Sequence, residues 1–356
     1  MNRKFVFPAL VASLVFASCQ KDSPEPEIPG ETDYSPGVLV LNEGNFGWGN
    51  ASLTYYPPEL DHLEQEIFQT QNAMELGDTG VDMSFNGDQA FIVMNTSNTI
   101  QVVNRHSFKQ VSTITEGLKN PRAIEFHNGK AYVSNWGEGS DPNDDYIAVF
   151  DSSDRSLVKK ISVSEGPEEI LAEGENVIIA HGGGWNFSDE VTFIDPLTNT
   201  VEHIIEVGDV PNSMVIANRQ LYVLSGGKPA FSGEETPGSL TVIDLNLMKV
   251  TDVLPFETGV HPSHLQWDQG TLYYTVGKGV FGISEEEGTL PAVPLIQMEE
   301  VDYLYGFRLI NDMIYATSAN TDFTGNGKLL VYDLLQGVLQ AELETGINPT
   351  AVFFNP

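Results

Sequence analysis

Six segments of this chain open alike, and the interval between them restricts the fold more than any other feature. Segments beginning at Gly80, Pro121, Pro167, Pro211, Pro262 and Leu304 each place an apolar residue three positions on. Successive starts lie 41, 46, 44, 51 and 42 residues apart, and Pro349 follows after another 45. About ten residues after each start comes a second apolar stretch, "AFIVMN", "AYVSNW", "VIIAHG", "LYVLSG", "LYYTVG" and "IYATSA". A third follows a variable loop: "TIQVVN", "YIAVFD", "VTFIDP", "LTVIDL", "VFGIS" and "LLVYDL". A weaker fourth, such as "SLVKKISV" or "TVEHIIEV", closes most units. These short runs, rich in β-branched and aromatic residues, read as strands. Four short antiparallel strands repeated every 40–50 residues or so predict an all-β chain folded as a β-propeller.

The two ends of the repeat decide the number of blades. The first unit, "GVLVLNEGNFGWGNASLTYYPPE", starts at what is the second strand elsewhere, and the final "PTAVFFNP" (Pro349–Pro356) supplies the missing first one. Pairing the carboxy-terminal strand into the first blade closes the ring and removes two exposed strand edges. The expectation is a seven-bladed propeller, one domain spanning residues 37–356.

Ahead of it lies a different kind of sequence. "MNRKFVFPALVASLVFASC" has a basic start (Arg3, Lys4) and an apolar run from Phe5 to Ala17, too short to span a bilayer core, which needs about 20 residues. Residues 1–18 therefore read as a secretion signal. Cys19, the chain's one cysteine, follows Ala17-Ser18 where signal removal would expose it, and the spacing resembles the lipobox of bacterial lipoproteins. A lone cysteine allows no internal disulfide, so packing alone must hold the fold. Residues 19–36, rich in Pro, Glu and Asp, read as a lipidated cysteine followed by a solvated tether. With 50 acidic against 17 basic residues and a net charge of −33, nucleic acid is excluded as a partner, since phosphate binding needs clustered Lys and Arg.

Loop lengths show which face of the disc was elaborated. Turns between first and second strands are short ("HNGK", "GENV", "NRQ"), whereas those between second and third are long: "NEGNFGWGNAS", "NWGEGSDPNDD", "HGGGWNFSDE", "SGGKPAFSGEETPGS" and "SANTDFTGNGK". The long loops share a face with the connections between blades, such as "TGVHPSH" and "VDYLYG". Ligand contact is expected there. Phe46, Trp48, Trp136, Trp185, Phe187, Phe231 and Phe323 offer apolar area among Asn and Gly, suited to a large, flat, amide-rich ligand. Asn42, Asn45, Asn95, Asn135 and Asn320 stand at the exits of second strands or just beyond, where they either close local turns or meet the ligand. His181, His264 and Tyr305 complete the candidate set. No catalytic residue is assigned, because His181, His261, Glu43 and Asp322 form no enforced acid–base pair. No metal site is assigned either. "HPSH" lies two blades from His181, and "NTDFTGNG" has Val331 where a calcium loop needs a bidentate Glu.

Tyr132-Val133-Ser134-Asn135 and the following "IAVFD" resemble the YVTN family of propellers. The lipobox, acidic tether and "VLVLNEGNFGWGNASLTYY" together are similar to surface propeller lipoproteins of Bacteroides-type bacteria, one group of which captures cobalamin for a TonB-dependent outer-membrane transporter. That resemblance implies a protein that is not an enzyme, takes no cofactor beyond cobalamin as bound ligand, and is lipid-anchored through Cys19 to the outer membrane, facing outward. Two other classes stay open: a propeller lyase or hydrolase acting on a glycan or lactone, and a protein-interaction or adhesin disc.

Overall fold

A computed structural model describes residues 33–59, 62–285 and 287–356. The signal and Cys19, together with the tether up to residue 32, lie outside them. Seven antiparallel sheets form the blades of a propeller, as the repeat predicts: six sheets of four strands and one of three. Blade 3 is representative, with strands Pro121–His127, Lys130–Asn135, Tyr146–Asp151 and Leu157–Ser162 running from the channel to the rim. Among the described residues no helix is long and apolar enough to cross a membrane.

The ring closes at the predicted seam. Pro349–Asn355 is the inner strand of blade 1 and pairs antiparallel with Gly37–Asn42, setting Val40 opposite Val352 and Leu39 opposite Phe353. Asn355, fully buried, donates from Nδ2 to the carbonyls of Tyr34 and Arg105, both at 2.8 Å. This corrects the tether boundary, because Asp33–Pro36 belong to the propeller. Tyr34 is buried edge-on to Tyr55 and Phe108, at 5.1 and 5.5 Å, and its N–H donates to the His106 carbonyl at 2.7 Å. A tyrosine in a run of Pro, Glu and Asp was the one sign of that anchorage.

The inner strands explain how the channel gets its lining. Each begins at a proline or its equivalent, a position that needs no ladder N–H. A register shift then separates it from the apolar residue three positions on, as between Pro121 and Ile124, or Pro167 and Ile170. A bulge sets two residues against one on the partner strand, which frees the residues at the first and second positions after the start to face the channel. The third position is buried between blades throughout, as with Met83, Ile124, Ile170 and Met214. Side chains at the second position also latch neighbouring blades. Asp82 Oδ2 accepts from the Ile124 N–H at 2.8 Å, Glu169 Oε2 from Met214 at 2.7 Å, and Ser213 Oγ from Leu265 at 2.8 Å.

Two blades depart from the four-strand pattern. On its outer side the third strand of blade 1, Ser52–Tyr56, makes a single bridge among the described residues, Tyr55 to Glu64, and the outer strand of blade 6 is two residues, Ile296–Gln297.

Candidate functional site

A cavity of about 830 Å³ occupies the channel. It reaches from Gly182–Phe187, in the long loop of blade 4, down the inner strands to Phe85, Phe353 and Phe354. Its charged wall comes from blades 2, 3, 4 and 7: Asp82, Arg122, Glu125, Glu168, Glu169 and Arg308. These carboxylates are half-buried and crowded. Burial pushes Asp82 up to about 6, Glu125 up to about 7 and Glu169 up to about 8, with hydrogen bonds from backbone N–H groups opposing the rise in each. Glu168 is raised by burial too, against the pull of Arg122 beside it. At neutral pH the group around Glu169 thus holds protons that exposed carboxylates would release.

Arg122 is fixed on two sides. Its Nε donates to Glu168 Oε2 at 3.0 Å, and its guanidinium carbon lies 4.2 Å from the centre of the Trp136 ring. Trp136 in turn meets Trp185 of the next blade edge-on at 6.4 Å. Glycines make this approach possible. A Cβ on Gly139 would stand 2.2 Å from Trp185 Nε1, and one on Gly166, where φ is +67°, would stand 2.3 Å from the Gly183 backbone. Across the channel mouth, Tyr305 donates its hydroxyl to Glu43 Oε2 at 2.8 Å, and the Glu43 carboxyl is raised by burial. Phe323 packs beside Tyr303 and Tyr305 at 5.1 and 6.2 Å, while Asn45 Nδ2 donates to its carbonyl at 3.3 Å.

The structure therefore brings the sequence-derived residues into two groups on the expected face. Trp136, Trp185 and Phe187 gather over blades 3 and 4, and Asn45, Tyr305 and Phe323 over blades 7 and 1. Phe46, Trp48 and Trp185 are 79, 77 and 73% exposed. Phe231 is 87% exposed in its own short 3-10 turn, Ala230–Ser232, on blade 5.

Several candidates serve the fold instead. Asn42, Asn95 and Asn135 are buried. Asn42 Nδ2 donates to the hydroxyls of Ser52 and Thr54 at 3.1 Å, Asn95 Nδ2 to the Pro121 carbonyl at 3.1 Å, and Asn135 Nδ2 to the Val133 carbonyl at 2.9 Å. Asn320 accepts from the Asp322 N–H at 3.3 Å within its own turn. His181 is fully buried against Thr192, 2.9 Å away, and burial pushes it down to about 4. His264 occupies the second inner-strand position of blade 6 at φ +60°, with Nδ1 2.9 Å from Thr275 Oγ1, and is also pushed down by burial to about 4. Among the described residues no group of three or more His, Cys, Asp or Glu is arranged to hold a metal ion.

The channel charges are candidate site residues that loop reading passed over. Their signal was present, since "PRAIEF", "PEEIL" and "GVDMSF" set Arg122, Glu125, Glu168, Glu169 and Asp82 around the apolar third position.

The family described as "Domain of unknown function (DUF5074)" matches residues 36–213, half of the chain. The chain belongs to this family. All the cavity wall except Arg308, Ala351, Phe353 and Phe354 falls inside the DUF5074 match. No curated protein matches the chain. Among solved structures it is similar to a quinonprotein alcohol dehydrogenase-like protein from Bacteroides thetaiotaomicron, at TM-score 0.67 and 13% identity over 91% of this chain and 79% of that one. A putative 6-phosphogluconolactonase from Bacteroides uniformis aligns at TM-score 0.62 and 12% identity, over 90% and 99%. A protein from Lactobacillus plantarum gives 0.62 and 13%, also over 90% and 99%. At such identities the likeness is one of fold.

Proposed function

We propose that this protein is a ligand-capturing propeller of the cell surface, which binds a small nutrient carrying amide and anionic groups, a corrinoid of the cobalamin class, and delivers it to a TonB-dependent outer-membrane transporter. The observation that carries the reading is the meeting, on one face, of exposed aromatic rings with a channel cavity holding both guanidinium groups and carboxylates. Arg122 and Arg308 suit anionic or carbonyl oxygens. Glu125 and Glu169 accept amide N–H groups when ionised and donate when protonated. The volume of about 830 Å³ lies in the range of small-molecule sites, roughly 300–1,000 Å³, and the parts of a larger ligand left outside would lie on Phe46, Trp48 and Trp185. Acyl chains on Cys19 would hold the disc at the membrane, and residues 20–32 would keep it near the transporter at high effective concentration.

Calorimetry with cyanocobalamin tests the ligand. Micromolar or tighter binding is expected, weakened at least about tenfold by Arg122→Ala through loss of a charge-assisted contact. No heat at micromolar protein removes the corrinoid. Release of Cys19→Ser from the membrane fraction tests the anchor.

One observation favours an enzyme instead. Glu125 and Glu169 sit near 7 and 8 in a shared cavity, the range in which a carboxyl works as general acid or base near neutral pH. Turnover of a glycan or lactone that Glu169→Gln abolishes would establish that reading over the first.

A further inference from the structure

The charged wall of the channel cavity is divided by sign. Asp82, Glu125, Glu168 and Glu169 stand on blades 2, 3 and 4 with Arg122 among them, whereas Arg308 is the one charged wall residue on blade 7. In a ring of seven sheets, blade 7 lies opposite blades 3 and 4. Arg308 and Glu125 hold the same position, the fourth after the start of the inner strand, and therefore the same depth. The other five blades carry no charge there.

Arg308 differs from the rest of that wall in having nothing to bond. Arg122 is matched by Glu168 and covered by Trp136. Asp82 and Glu169 accept the backbone N–H groups of Ile124 and Met214, and Glu125 accepts that of Phe126. Arg308 is exposed and makes no hydrogen bond or ion pair among the described residues, although the chain holds 50 acidic residues. Its neighbours at the same depth, Gln266 on blade 6 and Phe353 on blade 1, offer no counter-charge. Burial raises Asp82 and Glu169, and the Arg308 charge is among the influences opposing that rise, so its guanidinium acts in the shared space. An arginine left in this way presents a planar fork of donors that matches a phosphate or carboxylate.

We propose that Arg308 sets the specificity of the channel: it takes the anionic phosphodiester of the ligand, while Glu125 and Glu169 on the facing blades take N–H donors from the same molecule. This deepens the corrinoid reading and rests on it for the identity of the anion. The two arginines then have different roles. Arg122 already has a counter-charge in Glu168 and serves carbonyl and anionic oxygens alike. Arg308 has none, so its loss is felt only by ligands that carry an anion, and discrimination follows from that difference.

Calorimetry with cyanocobalamin and with dicyanocobinamide, a corrinoid without the phosphodiester, tests the assignment. Arg308→Ala should weaken cyanocobalamin about 10-fold or more, the worth of one hydrogen bond to a charged group, and leave dicyanocobinamide within about 2-fold. Arg122→Ala should weaken both. Because Arg308 bonds nothing in the fold, its removal should not lower the melting temperature. Inorganic phosphate tests the anion site without a corrinoid. At matched ionic strength it should raise the melting temperature of the wild type more than that of Arg308→Ala, which feels only the general salt effect. Equal loss of both corrinoids in Arg308→Ala, loss of neither, or an equal phosphate effect in the two proteins overturns the proposal. If neither corrinoid binds but Arg308→Ala still loses the phosphate effect, the corrinoid reading falls and Arg308 stands as the anion reader.

Discussion

Asn355→Ala tests the ring seam at a single side chain. The wild-type amide is fully buried and satisfies two carbonyls, one from Tyr34 and one from Arg105 of blade 2, each at 2.8 Å. Alanine leaves both carbonyls without that donor in a closed environment. A buried group left unsatisfied costs about 1–3 kcal/mol, and partial access of water at the chain end brings the expected total to about 2–4 kcal/mol. Val352→Ala probes the same strand through packing: two methyl groups at about 0.8 kcal/mol each, plus the space they leave, give about 2 kcal/mol. Leu335→Ser, 81% exposed on a turn of blade 7, serves as control and should stay within about 0.5 kcal/mol of wild type. Urea unfolding followed by both tryptophan fluorescence and far-UV dichroism measures the differences, and coincidence of the two signals licenses a single free energy. If Asn355→Ala matches the Leu335→Ser control, the carboxy-terminal strand does not close the ring in the way argued.

Asp82→Ala should cost about 1–3 kcal/mol by stranding the Ile124 N–H, whereas Asp82→Asn keeps an acceptor and should cost under about 1, as read by the same titration. Glu169 binds a proton in the folded state up to about pH 8 against an ordinary 4.5, so its contribution is present at low pH and is lost as pH rises through that window. Thermal stability measured between pH 5 and 8 should fall with pH, and Glu169→Gln should flatten part of the fall. His181, pushed down from 6.5 to about 4, acts oppositely: its contribution is full above the upper value and is lost as pH drops toward the lower, a loss that His181→Gln should remove. Gly166→Ala forces a Cβ onto the Gly183 backbone at positive φ; it should destabilise the protein by about 2 kcal/mol or more and lower the affinity of the channel ligand by loosening the loop that carries Trp185.

The architecture was legible because it rests on a period. An apolar residue three positions after each start must be buried between blades, whatever else the strand does, and that requirement repeats from Met83 to Val352. The seam could be read because Pro349 keeps the same register. Less legible were the gaps in the repeat. "EEEGTLPAVPLIQ" contains enough apolar residues to pass for an outer strand, yet among its described residues only Ile296 and Gln297 pair. Pro291 and Pro294 explain part of this, since proline cannot donate to a ladder. Tyr34 escaped for the opposite reason, as one aromatic in a polar run carries no period at all.

The candidate site divides along the same line. Loop composition found the aromatic rim, because Trp and Phe stand out among Gly and Asn. It left Asn42, Asn95 and Asn135 open between a local role and ligand contact, and their buried amides bond backbone carbonyls or hydroxyls. Composition cannot distinguish those from Asn45, which reaches across to the Phe323 carbonyl.

The channel chemistry follows from what the bulge leaves unconstrained. Burial fixes only the third inner-strand position, so the first, second and fourth are free to carry charge in any blade. Here charge is concentrated rather than spread. Blades 2, 3 and 4 contribute Asp82, Arg122, Glu125, Glu168 and Glu169, while the same positions in blade 1 hold Thr350, Ala351 and Phe353, and those in blade 5 hold Asn212, Ser213 and Val215. The blade-to-blade latches from Asp82 and Glu169 need only an acceptor, as Ser213 shows by making the same bond with a hydroxyl. Ionisable groups at those two positions therefore exceed what ring assembly requires. Burial in the channel, with the Asp82 charge adding to it at Glu125 and Glu169, raises Asp82 to about 6, Glu125 to about 7 and Glu169 to about 8, a standing cost to the folded state at neutral pH. A ligand that presents N–H donors or positive charge to this wall lowers that cost as it binds. Its affinity should accordingly change with pH between about 6 and 8, and a Glu169→Gln variant that binds with no pH dependence would place the coupling on that carboxyl.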